Sequence, residues 1–101
     1  MKIFKSIDEK FEDIGFIKVK EDLHGATYER IMPEKYTQKL VLHHNRITGN
    51  HIVQSYDPAL FDEKYIGNVG VGLSMYEIKL CYKKMKKMGW KISDSKKSKV
   101  K

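Results

Sequence analysis

The sequence predicts an α+β domain ordered α-β-β-β-β-α, a four-stranded antiparallel sheet with two helices packed on one face. Three observations predict it. Apolar residues recur at helical spacing near both ends of the chain, at Phe4, Ile7, Phe11 and Ile14 and again at Ile78, Cys81, Tyr82, Met85 and Met88. Between these stretches, from Phe16 to Tyr56, β-branched and aromatic residues fall in short runs divided by turn residues. Four consecutive short runs with tight connections make an antiparallel meander rather than strands linked by crossover helices.

In the first helix Ser6 and Glu9 form a capping box, while Phe4 on the same stripe allows an earlier start. Gly15 ends this helix, and Phe16 can fold back on Phe11. The strand runs follow as Phe16–Glu21, Ala26–Met32, Tyr36–His44 and Asn50–Tyr56, separated by Asp22-Leu23-His24-Gly25, Pro33-Glu34-Lys35 and Thr48-Gly49. Asp57–Gly72 reads as a long irregular connection, with one helical turn at Pro58–Asp62 and flexibility at Gly67, Gly70 and Gly72. The last helix opens on the capping box Ser74–Glu77, stops at Gly89 and is anchored by Trp90. Advancing about 100° per residue turns Met75, Ile78, Tyr82, Met85 and Met88 inward and Tyr76, Lys79, Leu80, Lys83, Lys84 and Lys87 outward. The expected core is Phe4, Ile7, Phe11, Ile14, Tyr28, Leu40, Leu42, Ile78, Tyr82, Met85 and Trp90.

A chain of 101 residues makes one domain, here 1–92, because the apolar pattern stops at Ile92 and residues 93–101 form a basic, solvated tail. Its hydrophobic fraction of 41% suits one compact core without room for a large buried cofactor, so no cofactor is expected. With Cys81 as the one cysteine, no disulfide forms within the chain, which suggests a reducing compartment. The N-terminal residues lack the apolar run of a signal peptide, and no stretch approaches the roughly 18 apolar residues of a membrane span. A cytoplasmic protein, a monomer or homodimer with no membrane partner, is the expectation.

All of the net charge lies at one end. Residues 1–73 hold ten Lys and Arg against eleven Asp and Glu, whereas Ser74–Lys101 holds ten lysines against Glu77 and Asp94, in a chain of formal charge +7. This asymmetry suits an acidic partner, either nucleic acid or an acidic protein. Lys79, Lys83 and Lys87, spaced i, i+4, i+8, make a ridge of about 12 Å that can follow a phosphate backbone, and Tyr76 beside it can stack on an unpaired base. Lys84 and Lys91 complete the candidate nucleic-acid-binding set, which otherwise reads as a solvated helix face complementing the negative end of the helix dipole.

Other residue types that carry chemistry have plainer readings. His43 and His44 are adjacent in a strand and point to opposite faces, so they cannot share an ion. His51 lies across the hairpin from one or the other, with no third ligand evident, and sheet-surface histidines without a metal are expected. Cys81 has no base beside it and reads as a small core residue. Gly67-Asn68-Val69-Gly70-Val71-Gly72 before a helix resembles a phosphate-cradling loop but lacks the Gly-Lys-Ser/Thr ending. The pairs Glu12-Asp13, Glu21-Asp22 and Asp62-Glu63 are local and read as solvated. Hydrolase, kinase, dinucleotide-binding and zinc-ribbon signatures are absent, and a non-enzymatic protein is expected.

The strings Gly49-Asn50-His51-Ile52-Val53-Gln54-Ser55-Tyr56, Gly72-Leu73-Ser74-Met75-Tyr76-Glu77-Ile78-Lys79-Leu80 and Lys83-Lys84-Met85-Lys86-Lys87-Met88-Gly89-Trp90 resemble small uncharacterised proteins of phages and prophages of Gram-positive bacteria. That resemblance spans residues 10–90 and implies an accessory phage protein acting in the bacterial host cytoplasm, without assigning a role to any residue. The element order is one strand longer than that of the double-stranded RNA-binding domain, and Ser74–Glu77 carries no lysine where that family has its basic cluster. The sequence therefore suggests a binding module for nucleic acid. The alternative is a protein-interaction module that modulates a host or phage protein through the sheet or the Asp57–Gly72 connection, with Tyr56, Phe61 and Tyr65 as its anchors.

Overall fold

A computed structural model describes residues 5–45, 47–62 and 67–90; Phe4, Lys91 and the tail 93–101 lie outside them. Helix α1 spans Ile7–Asp13, strands β1 to β5 span Ile17–Asp22, Gly25–Ile31, Thr37–His44, His51–Asp62 and Gly67–Gly70, and helix α2 spans Met75–Lys87. The strands form one antiparallel sheet in the order β1-β2-β3-β4-β5. The α+β class and the meander stand, but the sheet has five strands rather than four.

The fifth strand comes from the stretch read as irregular. β4 runs on through Asp57 and Pro58, and its pairing with β5 shifts register between Asp57 and Phe61. Proline cannot donate to a ladder, and at an irregularity no donor is required, so Pro58 interrupts the pairing without ending the strand. The buried carboxylate of Asp57 accepts the Ala59 N–H at 2.9 Å there. At the opposite edge every residue of β1 is exposed, and its register against β2 shifts between Lys18 and Lys20. Gly25, at the start of β2, has no room for a side chain: a Cβ there would lie 2.0 Å from the Leu42 carbonyl oxygen.

Alternate residues of β2 and β3 form the floor of the core, with Ala26 opposite Leu42 and Tyr28 opposite Leu40. Phe11 stacks on Tyr28 with ring centroids 4.3 Å apart and meets Phe16 edge-on at 5.9 Å. Gly15, at φ 98°, makes the left-handed turn that returns Phe16 to Phe11. The helices are not an even pair laid on the sheet: α1 lies against α2 and β1, and α2 enters the core through Leu80 and Cys81.

α2 is rotated about a quarter turn from the orientation its hydropathy suggests. Met75, Ile78 and Tyr82, expected inside, are 88%, 54% and 42% exposed, whereas Leu80 and Lys84, expected outside, are 1% and 5% exposed. Two polar residues on the inward stripe explain the rotation. Lys84 Nζ lies 2.9 Å from Glu21 Oε1 and 3.1 Å from Asp8 Oδ1, and Lys18 bridges the same two carboxylates at 2.8 and 2.9 Å. The Tyr28 hydroxyl donates to Asp8 at 2.6 Å, tying β2 into the cluster. One turn into α2, Glu77 pairs with Arg30 at 2.9 Å. Arg30 lies over the Phe16 ring, donates to Gln38 and to the Ile14 carbonyl, and Gln38 donates to Ser55.

Burial alone would raise the Asp8 carboxyl, but hydrogen bonds from Tyr28, Lys18 and Lys84 outweigh it and hold the group at about 2, below its usual 3.8. A carboxyl depressed on folding stabilises fully above its unfolded-state value and loses that contribution as pH falls through its folded-state value. Urea-unfolding stability should therefore decline between about pH 5 and 2, and Asp8→Asn should flatten that decline. Lysines adjacent in sequence should also separate sharply. Lys84→Ala is expected to cost about 1–2 kcal/mol by leaving Asp8 and Glu21 to Lys18 alone and removing a buried side chain from between α1, β1 and α2, and Lys83→Ala less than about 0.5 kcal/mol, in the same unfolding measurement.

Candidate functional site

The candidate surface is the outer side of α2. The helix is closed at both ends by local chemistry: the Ser74 hydroxyl accepts the Glu77 N–H at 3.1 Å, and Glu77 Oε1 accepts the Ser74 N–H at 2.8 Å. At the far end Gly89 adopts φ 89° and the Trp90 N–H donates to the Met85 carbonyl at 3.0 Å. With its ends and inward stripe fixed, the remaining side chains of α2 have their outward directions set by helical geometry.

Of the residues proposed from sequence, Tyr76, Lys79, Lys83 and Lys87 are exposed together on this surface. Lys84 is not part of it, because its ammonium is buried between Asp8 and Glu21. Lys91 lies outside the described residues. The structure adds Lys86, exposed and with its ammonium 5.4 Å from the centroid of the Tyr82 ring. Its signal in the sequence is its position seven residues after Lys79, two helical turns along the same side.

Charge sorting on α2 is complete. Glu77 is its one acidic residue and turns inward to Arg30, with 12% of its side chain exposed. The outward side therefore carries lysines without a carboxylate of α2 among them. Beside the lysines, Met75, Ile78 and Tyr82 form an exposed apolar strip spaced i, i+3, i+7.

The other candidates resolve into structure. Gly67–Gly70 is strand β5, hydrogen-bonded along β4, and not a loop opening onto the helix. Glu21 belongs to the Lys84 cluster, Asp22 accepts the His24 and Gly25 N–H groups in the β1–β2 turn, and Asp13 pairs with Lys5 at 2.7 Å. Shallow depressions lie beside Lys18, Glu21, Leu23 and Met88, and beside Gln54, Ser55, Tyr56 and Gly70. Among the described residues, no group of three or more His, Cys, Asp and Glu side chains could hold a metal ion. The register resolves the histidines, placing His51 opposite His44 and leaving His43 opposite Ile52 on the other face. None of the helices in the described residues is long and apolar enough to cross a membrane.

Cys81 is 1% exposed, and burial, followed by the Glu77 charge, pushes its thiol up to about 12. At neutral pH the native thiol should react with an aromatic disulfide reagent roughly 100-fold more slowly than in urea, as followed by absorbance. Set against protein-family models, curated proteins and solved structures, the chain matches none of them.

Proposed function

We propose that the protein is a non-enzymatic binding module that holds nucleic acid on the outer side of α2, through Tyr76, Lys79, Lys83, Lys86 and Lys87. The observation that carries this reading is the charge sorting of α2: its one carboxylate and one of its lysines are consumed inside, leaving the exposed lysines with no carboxylate of α2 among them. The ridge they make, about 12 Å long, spans several phosphates of a single strand. Tyr76, half exposed beside them, offers a ring on which a base can stack. Contacts of this kind read backbone charge and base planes rather than sequence, so binding is broad. Lys91 and the lysines of residues 93–101, which follow α2 in the sequence, carry charge of the same sign. The resemblance to phage proteins gives this activity a setting in the bacterial cytoplasm, as an accessory protein.

A second reading is favoured by one observation, the exposed Met75, Ile78 and Tyr82 beside the lysines. An acidic, amphipathic segment of another protein would cover both strips at once. The partner would then be a protein modulated through α2.

Fluorescent single-stranded DNA and RNA, titrated with the full chain between 50 and 200 mM salt, test the first reading. Three or four phosphate contacts should weaken binding roughly 20- to 50-fold across that range. The combined change of Lys79, Lys83 and Lys87 to Gln should weaken it at least about tenfold at low salt, whereas changing Lys96, Lys97, Lys99 and Lys101 to Gln should have the smaller effect. Binding that ignores the helix substitutions would refute α2 as the site. No binding at 50 mM salt, with a Tyr82→Ser-sensitive protein partner, would favour the second reading.

A further inference from the structure

We propose that His44 and His51 form a two-imidazole chelate for a d-block dication, Cu²⁺ first and Ni²⁺ and Zn²⁺ after it. The site is independent of the nucleic-acid reading. His44 and His51 are directly opposite each other on β3 and β4, and their Nδ1 atoms are 3.2 Å apart. The Asn45 N–H donates to the Asn50 carbonyl at 2.7 Å in the next pair, so the histidines occupy a position where opposed side chains approach most closely. A metal about 2.0–2.1 Å from each nitrogen would see the two at an angle of about 100°, between the square-planar and tetrahedral values.

The hairpin backbone that carries the pair and the His51 ring are held in place before any ion arrives. On one side the turn is tied by Asn45 Oδ1, which accepts the Ile47 and Thr48 N–H groups at 2.9 and 3.0 Å. On the other, Trp90 stacks on His51 with centroids 4.8 Å apart and an interplanar angle of 12°. Trp90 is itself fixed by its N–H to Met85 and by packing on the core. Paired imidazole nitrogens suit Cu²⁺, Ni²⁺ and Zn²⁺, and two ligands leave the remaining positions to water.

In the neutral tautomer that pairs the rings, one Nδ1–H donates to the other Nδ1. On chelation each Nδ1 lone pair forms a bond to the ion. The former donor's proton leaves Nδ1 and, through solvent, a proton is taken up at its Nε2, so the neutral pair releases no net proton.

Trp90 is the one tryptophan of the chain and reports directly on the site. Titrating the untagged full chain with Cu²⁺ at neutral pH should quench Trp90 fluorescence saturably at one ion per chain. His44→Gln and His51→Gln should each weaken that binding at least about tenfold, while His24→Gln leaves it unchanged. As a measurement free of substitutions, Zn²⁺ but not Mg²⁺ should raise the thermal unfolding midpoint of the unmodified protein. Quenching that does not saturate, that persists in the double His44→Gln, His51→Gln protein, or an unfolding midpoint indifferent to Zn²⁺, would overturn the proposal.

Discussion

The ammonium of Lys84 is the constraint on which the arrangement of the molecule depends. It joins α2 to Asp8 of α1 and to Glu21 of β1, while Tyr28 of β2 holds the same Asp8. A charge this deep is tolerable only when paired, so α2 must present Lys84 to those carboxylates whatever its apolar side chains would prefer. Arg30 and Glu77 make a second such tie one end of the helix away. Between the two ties lies a small apolar core, and the ties give it orientation more than energy, since buried ion pairs seldom add much net stability over apolar replacements.

The surface follows from this interior. Once Lys84 and Glu77 are committed inward, Met75, Ile78 and Tyr82 are left in solvent beside Lys79, Lys83 and Lys86. Apolar side chains contiguous along one helix, unlike those scattered singly over a surface, offer a patch that a partner could cover. The same cause therefore underlies an odd core, with a lysine in it, and an odd surface, with tyrosine and methionine on it.

Much of this was legible in the chain. Both capping boxes, Ser6–Glu9 and Ser74–Glu77, form with the reciprocal hydrogen bonds their spacing implies. The glycine stops at Gly15 and Gly89 and three of the hairpin connections also follow from local chemistry. Local signals are readable because their partners are a few residues away. The face of α2 was not readable, because Lys84 takes its meaning from Asp8, 76 positions earlier. Hydropathy assigns lysine to water unless the distant carboxylate is known. β5 was hidden for another reason: Pro58 is a strand breaker in a regular ladder and harmless at a register shift, and only the pairing itself distinguishes the two. Of the candidate set, the exposure of the ridge Lys79, Lys83 and Lys87 was readable from helical spacing, while Lys84 belonged to the interior. The pairing of His51 with His44 rather than His43 waited on the register.

β1 carries a different consequence. It ends the sheet with Ile17 and Val19 more than half exposed, a strand edge of the kind that invites a second copy to continue the ladder. The register shift between Lys18 and Lys20 breaks the regular spacing of its hydrogen-bonding groups, and the edge is lined with ion pairs, Lys18 with Glu21 and Asp8 and Lys20 with Asp22. An incoming strand would find neither an even row of donors nor an edge free of charged groups. The irregularity thus bears on contacts between molecules as well as within one, since an uneven edge disfavours the stacking of copies edge to edge into ribbons.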